Sequence, residues 1–474
     1  MSKQVQNKSA PPYNCLGGEA EEKNDYQSTG EASLSVAVVL GVISFFSLSG
    51  ARPGIFVAPH LLLKGWPERD IGFALFVGGI TTLVCQTPVG QLIDTMENKR
   101  IFILTANILI GLTSIVLVYD SSYIVVFISL ILQGIGNSMS IPAIYGLTLG
   151  LVGHDYMVNQ VPINETCNHA GNAFYAIFAG LLAFFTTGEG LFWVCAGMGV
   201  IGSFCLLTVP SNKIDHNRAR GLMDQDGKTR SAPIPLWDLA SDVRLIVLFS
   251  SVALFHLGNA AMLPLLSQQL SLQNEKQGIA FAAACIIVAQ VSMVVSAASC
   301  STLIPQFGTK KLFVAGFGCI PIRGAIVVFL LRVYPNPYVL LLTQVLDGIA
   351  GGIFGVTAVI VAEELTRGSG RFNLVVGFIK TTEALGASFS NLFGEMIAHY
   401  ADYDTAFLFL CLVGVIPMVL YAKFMPDTSR PSGALDVSQR ASQHGGKMDS
   451  SGNGIVMTSA TNPISSADTL PHTL

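Results

Sequence analysis

The chain has 474 residues, of which 51% are hydrophobic and only 12% are charged. A soluble domain carries about a quarter charged residues, so this composition excludes a water-soluble protein of this size. The net charge of −4 also argues against a nucleic-acid partner. Eight of the nine cysteines lie inside apolar blocks and none forms a CxxC pair, so no metal or redox site is predicted.

The first 32 residues are polar and are predicted to form a disordered cytoplasmic tail with no cleavable signal peptide. Twelve apolar blocks follow, each of about 20 residues or more, which is enough to cross a hydrocarbon core of about 30 Å. Backbone groups in lipid must be paired within their own segment, so these blocks are predicted to be helices, numbered 1 to 12. They lie near residues 34–62, 71–93, 101–119, 123–152, 161–185, 190–209, 244–270, 278–304, 312–332, 338–364, 373–398 and 403–425. Weak gaps near residues 120 and 187 leave a range of ten to twelve spans open.

A polar segment divides the chain into two similar parts. We predict an N-terminal six-helix bundle (33–209), a cytoplasmic central loop (210–243), a C-terminal six-helix bundle (244–425) and a disordered cytoplasmic tail (426–474). LQGIG at 132–136 matches LDGIA at 346–350, which is typical of duplicated transporter halves. Of the 26 Lys and Arg residues, 19 fall in the tails and inner loops, 4 in outer loops and 3 within helices. This excess on one side predicts that both termini are cytoplasmic.

The segment GQLIDTMENKR at 90–100 resembles the loop between helices 2 and 3 of the major facilitator superfamily, which reads roughly G-x-L-x-D-R-x-G-R-K-R. The match is partial, and its residues are Gly90, Leu92, Asp94, Lys99 and Arg100. The resemblance implies an all-α membrane protein whose twelve helices form two six-helix bundles. It also implies secondary transport by alternating access, with Gly90, Asp94, Lys99 and Arg100 gating the inner side.

Two differences from the motifs of drug–proton antiporters bear on the direction of transport. Drug–proton antiporters of this superfamily usually carry an Arg in helix 4 where this chain has Leu130. They also carry a Gly-Pro motif in helix 5, whereas NETCNHAGN at 164–172 contains no proline. A drug antiporter is therefore not indicated, and uptake and efflux both stay open.

Five polar residues are candidates for substrate binding, because the resemblance places helices 1, 4, 7 and 10 around a central cavity. They are Arg52, Gln133, Asn137, His256 and Asn259. The guanidinium of Arg52 suits a carboxylate or phosphate, although the side chain can equally extend to the outer membrane interface. His256 can equally be a packing residue. The expected substrate is a small organic molecule, preferably with an anionic group.

Three titratable residues are candidates for proton coupling. Asp347 lies near the middle of helix 10; its alternative role is a fixed ion pair with Arg323 of helix 9, which the family fold would make less direct. Glu165 and His169 are four residues apart on helix 5 and can share a proton. Their alternative, which we favour slightly, is a structural network that joins the two halves.

Lys380 and Glu383 on helix 11 are spaced for a structural ion pair. No cofactor is expected beyond a proton gradient, and the expected partners are a small-molecule substrate and membrane lipid, with the protein a monomer in the plasma membrane. A non-transporting receptor or nutrient sensor on the same fold is the main alternative. A membrane-embedded enzyme is less consistent with the sequence, because no nucleophile or metal-ligand cluster stands out.

Overall fold

The computed structural model describes residues 35–426 apart from 50–53, 186–188, 225–227, 274 and 335. Within these residues the chain is helical, except for loops and an isolated β-bridge between Met223 and Thr229. The predicted tails at 1–32 and 426–474 lie outside the described residues, apart from Pro426.

The helices are labelled α1 to α12 after the predicted helices, with a and b for two segments of one predicted helix. The N-terminal half contains α1a (Ser35–Ser47), α1b (Gly54–Leu63), α2 (Glu68–Thr95), α3 (Lys99–Tyr119), α4 (Tyr123–Val152), α5 (Met157–Phe185) and α6 (Gly190–Leu207). The C-terminal half contains α7a (Val243–Asn259), α7b (Met262–Gln273), α8 (Glu275–Phe307), α9 (Thr309–Val333), α10a (Pro337–Leu342), α10b (Gln344–Thr366), α11 (Phe372–Tyr400) and α12 (Tyr403–Phe424).

Nine helical stretches among the described residues are long and apolar enough to cross a membrane, by length and composition alone. The predicted spans outside these nine are helices 1, 5 and 11. Helix 1 falls into two segments, and helices 5 and 11 carry the polar residues already singled out in the sequence. The same polar stripes that lower the hydropathy of α5 and α11 supply candidate functional side chains.

Each half has a packed interior, and several helix pairs join the halves, among them α4 with α11 and α5 with α10b. In the N-terminal half α4 packs against α2 and α3; in the C-terminal half α10 packs against α8, and α12 against α9. Helix α2 packs against α11, and α5 against α8, across the seam between the halves. Large apolar side chains on the outside, such as Phe76, Val84 and Phe389, are exposed, as expected of a surface covered by lipid.

Helix 7 is broken between Asn259 and Met262. The main-chain N–H of Ala261 donates to Oγ of Ser390 on α11 at 3.0 Å, instead of to a carbonyl of its own helix. Pro264 contributes to the break, because its ring conflicts with a helical carbonyl four residues earlier. The break lies directly beside one of the candidate substrate residues.

Candidate functional site

The carboxylate of Asp94 joins the two halves on the side of the molecule that carries the α2–α3 loop. This side, predicted to be cytoplasmic, is called the inner side below. The carboxylate accepts hydrogen bonds from the main-chain N–H groups of Asn373 at 3.1 Å and Leu374 at 2.8 Å, and from Nδ2 of Asn373 at 2.8 Å. These donors belong to the first turn of α11, where unpaired N–H groups create a partial positive charge. Asp94 is 1% exposed, so the contact is shielded from water.

Gly90 lies one turn before Asp94 and allows α2 and α11 to meet backbone to backbone. A Cβ built on Gly90 would overlap the carbonyl of Asn373 and come within 3.1 Å of Cα of Leu374. One turn further into the membrane, the hydroxyls of Thr87 and Thr381 are 3.0 Å apart. The inner ends of α2 and α11 therefore fit together only because a glycine is present.

Lys99 and Arg100 have different environments. The buried ammonium of Lys99 donates to the carbonyl oxygens of Met96, at 2.7 Å, and Ile93, which lie at the C-terminal end of α2. A cation at this position stabilises the carbonyl end of the helix. Arg100 is half-buried, and its Nε has no hydrogen-bond partner among the described residues. The structure thus brings Gly90 and Asp94 to the other half, while Lys99 supports the turn that carries them.

A second inner contact was not predicted from the sequence. His154, between α4 and α5, bonds through Nδ1 to Oε1 of Glu363 near the inner end of α10b. Arg367 donates to the same carboxylate from Nε at 2.9 Å and Nη2 at 3.2 Å. The spacing of Glu363 and Arg367, four residues apart at a helix end, was the available sequence signal, but it does not indicate His154 as the third member.

The central loop also bridges the inner side. The N–H of Asp215 donates to the carbonyl of Gly150 on α4 at 2.9 Å. The carbonyl of Ala219 accepts from Nδ2 of Asn373 at 2.9 Å, and the N–H of Ile234 donates to the carbonyl of Ser369 at 2.9 Å. Part of the predicted loop therefore packs against both halves.

The polar face of α5 forms a network in the interior. The hydroxyl of Tyr145 on α4 donates to Oε1 of Glu165, and Nδ2 of Asn168 donates to Oε2 at 3.2 Å. Nε2 of His169 is 3.5 Å from Oε2 of Glu165, and its Nδ1 is 3.1 Å from Oε1 of Gln290 on α8. Both predicted residues of helix 5 therefore belong to one network that reaches the other half. Tyr145 and Gln290 were missed, because neither carries a charge that stands out in an apolar helix.

Asp347 lies in a buried polar cluster of the C-terminal half. Nη1 of Arg323 is 3.0 Å from Oδ1 of Asp347 and 2.9 Å from Oδ1 of Asn259. Nδ2 of Asn259 donates to Oδ1 of Asp347 at 2.9 Å, and Nη2 of Arg323 donates to Oε1 of Gln344 at 2.8 Å. The expectation that an Arg323–Asp347 pair would be indirect is wrong. The long side chain of Arg323 reaches from α9 to α10, and only 1% of it is exposed.

A third group of charged residues lies on α7a and α11. Nζ of Lys380 is 2.7 Å from Oε2 of Glu383, and Nε2 of His256 is 4.0 Å from the same oxygen. The ring of His256 also packs edge-on against Phe354 of α10b at a centroid distance of 4.8 Å. One turn further along α7a lies Asn259, which belongs to the Asp347 cluster.

The exposed and half-buried residues of α11 form a polar face and an apolar face. At 100° per residue, Lys380, Glu383, Ser388 and Asn391 span about 140°, and the exposed residues Leu385, Phe389, Leu392 and Met396 begin about 40° beyond Ser388. The apolar face suits lipid. The polar face is partly open to solvent, which indicates that it lines an aqueous cavity.

The remaining substrate candidates are less defined. Gln133 is buried, and its Nε2 has no hydrogen-bond partner among the described residues. Asn137 is half-buried on the same helix, one turn towards the inner side. Arg52 lies outside the described residues. In the part of the chain that the structure describes, no group of three or more His, Cys, Asp or Glu side chains is placed to hold a metal ion.

The sequence matches the family model of the Major Facilitator Superfamily over residues 34–322 and 301–447. The chain belongs to the major facilitator superfamily. Two uncharacterized MFS-type transporters of Mycobacterium tuberculosis, from strains CDC 1551 / Oshkosh and ATCC 25618 / H37Rv, are each 36% identical to it over 396 residues. Each alignment covers 83% of this chain and 94% of the relative.

Solved structures of superfamily transporters share the fold. A bacterial homologue of the iron transporter ferroportin, in an outward-facing state, aligns with a TM-score of 0.62 at 19% identity and covers 82% of this chain and 98% of its own. The human organic anion transporter MFSD10 (TETRAN) aligns with a TM-score of 0.60 at 15% identity, covering 83% of this chain and 99% of its own. The predicted all-α membrane fold of the superfamily is confirmed, and the protein is a multi-pass membrane transporter.

Proposed function

We propose that the protein is a secondary active transporter that moves a small organic solute by alternating access, driven by a proton gradient. The observation that carries this proposal is the buried contact of Asp94 with the first turn of α11. Such a contact holds the halves together at one end of the molecule, and it must break for the inner side to open. A gate that can break and re-form is what alternating access requires.

The other contacts between the halves support an outward-facing arrangement. His154 with Glu363, and Thr87 with Thr381, lie on the inner side, and His169 with Gln290 lies near the middle. The polar face of α11 is partly open to solvent. A solute entering from the outer side would therefore reach His256, Lys380 and Glu383 before it met the closed inner gate.

The proposed binding site combines these residues with Asn259, Gln133 and Asn137. Lys380 and His256 supply donors for an anionic or polar group, and Arg52 is retained as a candidate from the sequence. An ion pair within the membrane that is partly accessible to water, such as Lys380 with Glu383, can exchange partners with a charged solute. A small polar organic molecule with an anionic group is the proposed substrate class, and the plasma membrane is the proposed location.

Transport and coupling are tested together in liposomes that contain the purified protein. A panel of radiolabelled organic anions, cations and zwitterions is presented in both directions with an imposed pH gradient. The expected result is accumulation of one class, which a protonophore abolishes, while exchange without a gradient continues. A solute that stabilises the protein against thermal unfolding but never crosses the membrane would contradict transport and favour a receptor.

A further inference from the structure

Two carboxyl groups in the interior differ in the kind of partner that each one has. Asp347 contacts the guanidinium of Arg323 at 3.0 Å and the amide of Asn259 at 2.9 Å. An arginine side chain is always charged in proteins. Protonation of Asp347 would leave a guanidinium that is 1% exposed without its counter-ion. The ion pair therefore opposes proton uptake at Asp347.

Glu165 contacts no arginine or lysine side chain among the described residues. Its carboxylate contacts the hydroxyl of Tyr145, Nδ2 of Asn168 at 3.2 Å and Nε2 of His169 at 3.5 Å. Tyrosine and asparagine are neutral, and histidine can take up or release a proton near neutrality. Protonation of Glu165 therefore leaves no permanently charged side chain without a counter-ion.

Among the residues that the structure describes, the helices around α5 contribute no fixed cation near Glu165. Helices α1a, α4 and α6 contain no Asp, Glu, Lys, Arg or His within their bounds, and the charged residues of α8 are Glu275 and Lys276 at its outer end. On α10b, Asp347 is paired with Arg323, and Glu363 and Glu364 lie near the inner end. Tyr145 is the titratable residue of α4 that faces Glu165.

Glu165 and His169 also lie at the seam between the halves. A Cβ built on Gly355 of α10b would be 3.0 Å from Oε2 of Glu165, and Oε1 of Gln290 on α8 accepts from Nδ1 of His169 at 3.1 Å. Both of these neighbours belong to the C-terminal half, whereas Tyr145 belongs to the same half as Glu165. Rocking of the halves changes the first two contacts and leaves the tyrosine in place.

We propose that Glu165 and His169 form the proton site and that Tyr145 is the residue that positions Glu165 and sets its proton affinity. The inference rests on the proposed proton coupling. The hydroxyl bonds to Oε1, while Asn168 and His169 contact Oε2. A hydrogen bond donated to a carboxylate stabilises the charged form. Because the ring of Tyr145 is buried, its hydroxyl is held in one direction.

Infrared difference spectroscopy tests the proposal without a known substrate. The full chain in lipid nanodiscs is titrated across about pH 5–9, the range in which histidine and perturbed carboxyl groups exchange protons. The measured signal is the carbonyl-stretch band of protonated carboxylic acids, assigned to Glu165 by its loss in Glu165→Gln. We expect Tyr145→Phe to move the midpoint of this band upward by about one pH unit, a roughly tenfold higher proton affinity, because one charge-assisted hydrogen bond is lost.

Matched variants separate this role from a structural one. Tyr421→Phe removes another fully buried hydroxyl, one without a hydrogen-bond partner among the described residues, and should leave the midpoint unchanged. Should Tyr145→Phe fail to fold, Glu165→Asp draws the carboxylate away from the hydroxyl and should give a smaller upward shift, because the pKa of a free aspartate is below that of a glutamate. A band that persists in Glu165→Gln and disappears in Asp347→Asn would overturn the proton site. An unchanged midpoint in Tyr145→Phe would overturn the role of Tyr145.

The same proteins in liposomes distinguish failure of the inference from failure of the proposed function. If the band titrates as expected but solute flux does not depend on the pH gradient, the proposal of proton coupling is wrong, whereas the assignment of the proton site is supported. If flux follows the gradient equally in wild type and in Glu165→Gln, coupling stands and the proton site is wrong.

Discussion

Replacing Asp94 with alanine should shift the protein from the inner-closed to the inner-open arrangement. The substitution removes the acceptor of two main-chain N–H groups, from Asn373 and Leu374, and of one side-chain N–H. In the closed arrangement these donors are buried beneath a residue that is 1% exposed. In the open arrangement the same donors face water, so the loss falls on the closed arrangement alone.

The size of the shift follows from the two main-chain donors. A buried donor left without a partner costs about 1–3 kcal/mol. Taking the lower value for each, the closed arrangement loses about 2 kcal/mol relative to the open one. Since about 1.4 kcal/mol is a factor of ten, the ratio of open to closed molecules rises roughly thirtyfold. Asp94→Asn keeps one oxygen acceptor of similar shape and should give a smaller shift.

Distance measurements across the inner side provide the assay. Spin labels at Asn98 in the α2–α3 loop and Gln306 at the inner end of α8 are both on exposed positions of different halves. Asp94→Ala should move most of the population to longer label distances. Asp404→Ala is the control, because it removes the partner of Arg332 near the outer end of one half and leaves the gate intact. A distance distribution unchanged in Asp94→Ala would refute the assignment of this contact as a gate.

Two further predictions concern packing and burial. Gly377→Ala places a methyl group against a carbonyl of α2, so it should favour the inner-open arrangement in the same distance assay, and an unchanged distribution would contradict the close packing. Arg323→Leu should destabilise the protein by up to about 3 kcal/mol, because it leaves the carboxylate of Asp347, which is 14% exposed, without its counter-ion. The double variant Arg323→Leu with Asp347→Leu should recover most of the loss in thermal unfolding, and equal instability of both variants would mean that the pair is not the cause.

The sequence predicts the membrane fold well because a chain that crosses lipid has few ways to pair its backbone groups. Apolar blocks of sufficient length must be helices, and the loop with Gly90 and Asp94 resembles a known gate, so the superfamily could be recognised before the structure. The broken helices could not be predicted. Pro264 is associated with the break in helix 7, yet Pro88 and Pro142 lie within continuous helices. A proline alone does not show where neighbouring side chains will replace the lost backbone bond.

Contacts between residues that are far apart in the chain could not be predicted from the sequence either. His154 and Glu363 are 209 residues apart, and helical periodicity gives no relative rotation of two helices from different halves. The family fold places helix 9 outside the cavity, which made a direct Arg323–Asp347 pair unexpected; the long arginine side chain spans the distance from α9 to α10. The proton-coupling roles of Asp347, Glu165 and His169 stay predictions, and their geometry now makes them separable by experiment.

The break in helix 7 makes the orientation of the outer segment α7b independent of the orientation of α7a. A continuous helix resists bending because each turn is bonded to the next. At the break, Ala261 is bonded to Ser390 instead, and Asn259 is fixed by Arg323 and Asp347. The 12 residues of α7b are held instead by α8 and α11: Leu265 and Leu266 are buried, and Nε2 of Gln268 donates to Oε1 of Glu395 on α11 at 2.7 Å. The direction of α7b is therefore set by its neighbours and not by α7a, so a substitution at Ser390 or Gln268 can alter the outer entrance without removing a contact of Asn259.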